Sequence, residues 1–76
     1  MTAELNRLRW RCRRGVLELD LALARFLDTE FQGLDTRQRE TFERVLEAAD
    51  EDLWRWINGD EEGLKPAWRD IVAALR

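Results

Sequence analysis

The chain has 76 residues, of which 45% are hydrophobic and 38% are charged, and its formal net charge is −3. This length and balance predict one small helical domain, residues 1–76, and no apolar run approaches the roughly 20 residues that a membrane-spanning helix needs. The chain contains no histidine and a single cysteine, Cys12, which together exclude an internal disulfide and argue against a zinc site or a conventional hydrolytic centre.

The charge is unevenly distributed along the chain. Residues 1–14, called the basic head below, hold five arginines against Glu4 alone (+4), whereas residues 15–76 hold eight basic against fifteen acidic residues (−7). Arginines around Trp10 could bind nucleic acid through phosphate contacts and base stacking, but a nucleic-acid-binding domain is usually basic overall. Docking onto an acidic protein surface is therefore favoured over nucleic acid. The simplest alternative is that these arginines pair with the acidic body of the same protein.

The first predicted boundary lies near Gly15. Arg13 and Arg14 would occupy the last turn of a first helix, with Gly15 at its C-terminal cap, because cations and glycine are favoured there. Glu18 and Asp20 would occupy the first turn of a second helix, where anions complement the macrodipole. Apolar residues recur at helical spacing on both sides of this break, at Leu5, Leu8, Cys12, Val16, Leu19, Leu23, Phe26 and Phe31.

A third helix is predicted to follow Gly33, which we expect at the C-terminal cap of the second helix. Asp35 and Gln38 have the spacing of a capping box and predict where the third helix begins. Its apolar face would consist of Phe42, Val45, Leu46 and Ala49.

Two further helices complete the predicted fold. Residues 50–52 (Asp-Glu-Asp) predict a cap and an acidic first turn for a short fourth helix, which Asn58-Gly59 would end. Pro66 fits the first position of a fifth helix. The apolar face of the fifth helix would consist of Trp68, Ile71, Val72 and Leu75. The sequence thus predicts an all-α protein, a compact five-helix bundle.

Two apolar features of the sequence carry alternative interpretations. Cys12 lies on the apolar stripe, so a buried, unreactive thiol is favoured over a reactive one, although nearby arginines could lower its pKa. Trp54 and Trp56 lie about 200° apart on a helix and cannot both face one core, so one of them is expected at the surface.

The segment from Arg14 to Glu18 also allows two interpretations, and the residues alone leave both open. It can be a helix–helix junction with complementary charges. It can equally be a docking site, in which Gly15 lets a partner backbone approach closely while Arg14 and Glu18 form charge-assisted hydrogen bonds to it.

The run from Trp10 to Asp20, WRCRRGVLELD, resembles the signature of the small flavinylation factors of succinate dehydrogenase, known in mitochondria as succinate dehydrogenase assembly factor 2. The Arg-Gly-x-x-Glu hallmark of this family is matched by Arg14, Gly15 and Glu18. Arg7 precedes the tryptophan at the family's usual distance, and residues 46–56 resemble a second family block, so the resemblance covers roughly residues 7–57.

The resemblance implies a maturation factor rather than an enzyme. It would bind the flavoprotein subunit of succinate dehydrogenase, or of the related fumarate reductase, and promote covalent attachment of FAD to a histidine of that subunit. It would hold no cofactor or metal stably, and it would not bind nucleic acid or insert into a membrane. The residues expected to contact the partner are Arg14, Gly15, Glu18, Arg7, Trp10 and Val16.

A location and two alternative functions complete these expectations. The protein is expected in the bacterial cytoplasm, or in the mitochondrial matrix if it is eukaryotic, and a monomer is expected although the sequence leaves the oligomeric state open. One alternative is an antitoxin-like protein that neutralises a partner toxin, because bacterial members of the family were once described in that way. The other is a small nucleic-acid-binding module.

Overall fold

Five α-helices follow one another along the chain in the computed structural model, which describes residues 2–76. Their bounds are α1 Thr2–Arg11, α2 Leu17–Thr29, α3 Thr36–Val45, α4 Asp50–Ile57 and α5 Arg69–Leu75. Two single 3₁₀ turns, Phe31–Gly33 and Pro66–Trp68, lie before α3 and α5. Residues 2–76 contain no β-strand, so the predicted all-α, five-helix fold is confirmed.

One hydrophobic core joins the five helices. Its centre is a cluster of three phenylalanines, in which the rings of Phe26 and Phe42 stack with centroids 4.7 Å apart and Phe31 lies 6.0 Å from Phe42. Burying a side chain of this size contributes about 1.5–3 kcal/mol. The buried set is Leu8, Cys12, Leu19, Leu23, Phe26, Leu27, Phe31, Phe42, Val45, Leu46, Leu53, Trp56, Ile71, Val72 and Leu75. The expected burial of Cys12 is therefore confirmed.

The predicted break near Gly15 is confirmed, but the first helix ends earlier than expected. Because α1 ends at Arg11, Arg13 and Arg14 do not occupy its last turn, and that part of the prediction is wrong. Gly15 lies four residues beyond the end of α1, so it is not the C-terminal cap residue of that helix either. Its φ of +85° instead turns the connection between the two helices.

Gly33 does not end α2 in the predicted way. That helix ends at Thr29, and the chain then tightens into the 3₁₀ turn, in which the Gly33 amide donates to the Glu30 carbonyl (3.1 Å). The φ of Gly33 is not positive, so this residue does not act as a left-handed cap. The turn brings Phe31 back into the core, and that burial determines the backbone path here.

The start of α3 is confirmed in detail, and its end is not. The Asp35 carboxylate accepts from the Gln38 amide (2.8 Å), and the Gln38 side chain accepts from the Asp35 amide (3.0 Å), which completes the capping box. Ala49 was predicted on the apolar face of α3, but it is exposed and is the N-cap residue of α4. The three acidic residues 50–52 do form the first turn of α4, as expected, but they do not supply its cap, so that part of the prediction is wrong.

The two tryptophans of α4 separate as predicted, since Trp56 is buried at 4% exposure and Trp54 is 37% exposed. Asn58-Gly59 follows the last residue of α4, as expected. Pro66 begins the 3₁₀ turn rather than α5 itself, which starts three residues later. The partly buried Trp68 ring meets the Trp56 ring edge-on at 6.2 Å. Within residues 2–76, no helix has the length and hydrophobicity needed to cross a bilayer.

Candidate functional site: the junction between α1 and α2

The junction between α1 and α2, residues 12–16, is a sharp turn that ends one helix and begins the next. The amide of Cys12 donates to the Leu8 carbonyl (3.0 Å) at the end of α1, and the amide of Asp20 donates to the Val16 carbonyl (2.8 Å) at the start of α2. Gly15 lies between them with φ +85°, which costs an L-residue roughly 1–2 kcal/mol. A Cβ built on Gly15 would meet nothing within 4 Å, so the space beside this backbone is open.

Asp20 fixes the backbone of the junction from the first turn of α2. One carboxylate oxygen, Oδ1, accepts from the Arg14 amide (2.8 Å), and the other, Oδ2, accepts from the Gly15 amide (3.2 Å). From the sequence, Asp20 was expected only to complement the helix dipole, and its hydrogen bonds to the two junction amides were not predicted. A possible signal was an aspartate in the first helical turn that follows a glycine-containing break.

The side chain of Arg14 points into the protein and ties the junction to the connection between α3 and α4. Its guanidinium donates to the carbonyls of Leu46 (2.7 Å) and Ala48 (2.5 Å) and pairs with the Asp50 carboxylate. The side chain is only 15% exposed. Arg14 was predicted to offer its guanidinium to a partner, but each of its three nitrogens already donates within the chain. The carbonyl of Leu46 lies at the end of α3, where backbone acceptors lack helical partners.

The rest of the basic head is partly neutralised by the acidic body. Arg9 pairs with Asp28 on α2 (2.5 Å), and Arg11 donates to both the carboxylate (3.3 Å) and the carbonyl (3.0 Å) of Glu43 on α3. With Arg14, three of the five arginines are therefore engaged inside the molecule. This pairing weakens the nucleic-acid interpretation, because those cations already have carboxylate partners.

Four large apolar side chains surround the junction and are exposed. We call them the apolar rim: Trp10 (70% exposed), Val16 (39%), Leu17 (72%) and Leu21 (60%). Leu17 and Leu21 lie one turn apart on the same face of α2. Among the described residues, Trp54 is the only other large apolar side chain in this exposure class. Clustered exposed apolar residues mark interaction surfaces, whereas isolated ones are common.

A groove of about 820 Å³ runs between α1 and α2 next to the apolar rim. Its lining includes the rim residues Trp10 and Leu21 together with the nearly buried Cys12 and Leu27. Burial raises the pKa of the Cys12 thiol to about 11, an effect that outweighs the opposing influence of the nearby arginines. The thiol is therefore protonated at neutral pH and is not the nucleophile of a reaction in this groove.

The remaining predicted residues lie at the surface near this site. Glu18 is exposed in the first turn of α2, about 100° around the helix from Leu17. Arg7 is exposed on α1, three residues before Trp10, and the Arg13 guanidinium lies 5.3 Å from the centre of the Trp10 ring. The structure thus brings Gly15, Val16 and Glu18 together at the junction and places Arg7 and Trp10 on the neighbouring helix.

Comparison with known proteins identifies the family to which this chain belongs. A family model described as "Flavinator of succinate dehydrogenase" (Sdh5) matches residues 6–76. The chain belongs to this family. The match includes the whole junction and all six residues expected to contact the partner, so the resemblance predicted from the sequence is confirmed at the level of the family.

Named bacterial relatives agree with the family assignment. The chain is 40% identical over 74 residues to the "FAD assembly factor SdhE" of Methylococcus capsulatus, covering 97% of this chain and 89% of that protein. It is 44% identical over 73 residues to the protein of the same name from Legionella pneumophila (strain Lens), covering 96% and 91%. For the Coxiella burnetii protein the identity is 42% over 71 residues, covering 93% and 87%. No solved structure matches the chain. These relatives support the FAD-assembly interpretation and give no support to the antitoxin and nucleic-acid alternatives.

Proposed function

We propose that this protein binds the flavoprotein subunit of succinate dehydrogenase, and of the related fumarate reductase, and promotes covalent attachment of FAD to it. The family assignment and the names of the bacterial relatives support this function. The same relatives favour the bacterial cytoplasm as its location. It acts as a monomer and as a maturation factor, so the covalent chemistry belongs to the partner.

The observation that carries the proposal is the exposed apolar rim around the open backbone of Gly15. Side chains such as Trp10, Leu17 and Leu21 gain about 25 cal/mol for each Å² of apolar surface that a partner removes from water. Because nothing occupies the space beside Gly15, a partner backbone can approach the junction closely there. The groove next to the rim can accept an apolar side chain of the partner.

Exposed charges beside the rim give the proposed contact its orientation. Glu18 can accept hydrogen bonds from the partner on one side of Leu17, while Arg7 extends from α1 on the other helix. Val16 lies between Gly15 and the start of α2 and adds apolar contact. In this proposal the Arg14 side chain supports the surface from inside and does not bind the partner, because its guanidinium is held by the connection between α3 and α4.

The mechanism that we propose is a shift in the conformation of the partner. The chain has no histidine, and the thiol of its one cysteine is buried and protonated, so neither group is available to attack the flavin. A binding protein changes a conformational equilibrium only through its differential affinity for the two states, and each tenfold change corresponds to about 1.4 kcal/mol. FAD stays with the flavoprotein, which this chain holds in the conformation that forms the covalent bond.

The direct test uses purified apo-flavoprotein incubated with FAD, with and without this protein. Covalent flavin is then measured by in-gel fluorescence after denaturing electrophoresis. We expect wild-type protein to accelerate flavinylation and Trp10→Ala to reduce both the acceleration and the affinity, since tryptophan is a frequent interface hot spot. Trp54→Ala is the matched control, because Trp54 is the exposed tryptophan of α4.

The outcomes separate the proposal from a general effect of tryptophan removal. Equal loss of activity in the two variants would contradict docking through the apolar rim. Unchanged flavinylation on addition of the wild-type protein would contradict the proposed function itself.

A further inference from the structure

The conformation of Gly15 is held by a residue outside the Arg-Gly-x-x-Glu hallmark. Asp20 uses one oxygen for the Arg14 amide (2.8 Å) and the other for the Gly15 amide (3.2 Å). Both amides lie in the non-helical junction, where no helical carbonyl accepts from them. The carboxylate therefore replaces the missing backbone acceptors for two successive residues.

The junction needs such a constraint because its key residue is a glycine. Glycine loses more backbone freedom on ordering than any other residue, and this one must adopt φ +85°. Arg14 is the residue that precedes Gly15, and its side chain is anchored to the carbonyls of Leu46 and Ala48. Asp20 completes the restraint from the other side, since α2 carries its carboxylate on a regular helical backbone.

We propose that Asp20 is a positioning residue for partner binding, which presets the Gly15 backbone in the conformation that the flavoprotein recognises. This inference rests on the proposed function, because it concerns how the same surface becomes competent to dock. Asp20 itself is half-buried and spends both oxygens on the junction, so its effect on the partner is indirect.

Removing the carboxylate has a different expected effect on binding and on stability. In Asp20→Ala both amides lose their carboxylate acceptors, and the amide of the exposed Gly15 can donate to water instead. The core residues around α2 do not change. A junction that is mobile before binding must be ordered by the partner, and ordering even one backbone residue weakens affinity by about tenfold.

The test compares three variants with wild type. Asp20→Ala removes both acceptors, whereas Asp20→Asn keeps the shape and one acceptor oxygen. Asp28→Ala is the matched control, because it removes the same charge from the same helix and breaks the ion pair with Arg9 without touching the junction. The measurements are amide hydrogen exchange at Arg14 and Gly15, thermal unfolding, and affinity for purified apo-flavoprotein.

We expect Asp20→Ala to speed hydrogen exchange of the Arg14 and Gly15 amides and to weaken affinity for the flavoprotein by about tenfold. Hydrogen exchange of the Phe42 amide, which lies in the core, should remain nearly unchanged. Asp20→Asn should be intermediate in both measurements, and Asp28→Ala should resemble wild type. If Asp20→Ala also unfolds the core, the comparison of the isosteric Asp20→Asn with wild type tests the inference instead.

Two results would overturn the inference. One is unchanged exchange at the two junction amides in both Asp20 variants. The other is faster exchange with wild-type affinity, since the preset backbone would then be irrelevant to docking. If wild-type protein itself fails to bind the flavoprotein, the proposed function is wrong, and that result is distinct because it does not depend on Asp20.

Discussion

The substitution Gly15→Arg tests the junction most directly, and the chain offers a matched control in Gly63. Both glycines are exposed, their φ angles are +85° and +80°, and a Cβ added to either would meet nothing within 4 Å. An L-residue in this conformation costs roughly 1–2 kcal/mol at each position. Gly15→Arg and Gly63→Arg should therefore destabilise the fold by similar amounts.

The expected loss of stability is too small to explain a loss of function. A domain of this size has a free energy of unfolding of about 5–15 kcal/mol, so removing 1–2 kcal/mol leaves more than about 99% of the molecules folded. In thermal unfolding, 1 kcal/mol corresponds to a shift of about 4–8 °C for a 60–100-residue domain. The melting temperatures of both arginine variants should therefore fall by about 4–16 °C, which corresponds to 1–2 kcal/mol.

The two variants should differ in flavinylation. At position 15 the arginine side chain fills the open space beside the apolar rim and excludes the partner backbone, whereas Gly63 lies in the loop between α4 and α5. We expect Gly15→Arg to abolish covalent flavin in a strain that lacks the wild-type gene, and Gly63→Arg to support normal levels. The assay is in-gel flavin fluorescence of the flavoprotein band, normalised to the amount of each variant.

A third variant separates the side chain from the backbone strain at this position. Asparagine tolerates the left-handed region better than other L-residues, so Gly15→Asn should recover part of the stability that Gly15→Arg loses. Its smaller side chain still enters the gap, and flavinylation should therefore remain reduced. Normal flavinylation by Gly15→Arg, or equal loss in Gly15→Arg and Gly63→Arg, would refute the reasoning about the gap.

Two further predictions concern residues near the junction. Glu18→Ala should weaken partner binding by calorimetry while changing the melting temperature little, because Glu18 is exposed; a parallel loss of both would indicate a structural role instead. The free energy of unfolding should fall as the pH rises from 9 to 11, by up to about 1.4 kcal/mol per pH unit. Burial raises the pKa of Cys12 from 9.0 to about 11, so the unfolded thiol ionises first and stability is lost only above pH 9. Cys12→Ala should remove this slope in urea titrations; because the chain has no tyrosine and only one lysine, a slope that persists would contradict the assignment to Cys12.

Boundaries that depend on neighbouring residues could be predicted from the sequence. The capping box of Asp35 and Gln38 closes within four residues, so its spacing alone determines the start of α3. The opposite orientations of Trp54 and Trp56 follow in the same way from helix geometry. These features require only local backbone geometry.

Boundaries that depend on packing could not be predicted in the same way. Ala49 continues the apolar spacing of α3, but the helix ends at Val45, and the guanidinium of Arg14 binds the carbonyls of the connection that follows. Gly33 has the residue type of a cap, but the burial of Phe31 sets the path of the chain there. Contacts between residues more than 30 positions apart decide the first of these cases, and no spacing rule contains them.

The same distinction clarifies the roles inside the hallmark segment. From charge alone, Arg14 and Glu18 looked like equivalent partners on either side of Gly15. In the fold, the Arg14 side chain faces the connection between α3 and α4 while its amide faces Asp20, so that residue is restrained from two directions. Glu18 lies between these restraints in the sequence and remains exposed. Substitutions at Arg14 and Asp20 should therefore act through the shape of the Gly15 backbone, whereas substitutions at Glu18 should act on the partner directly.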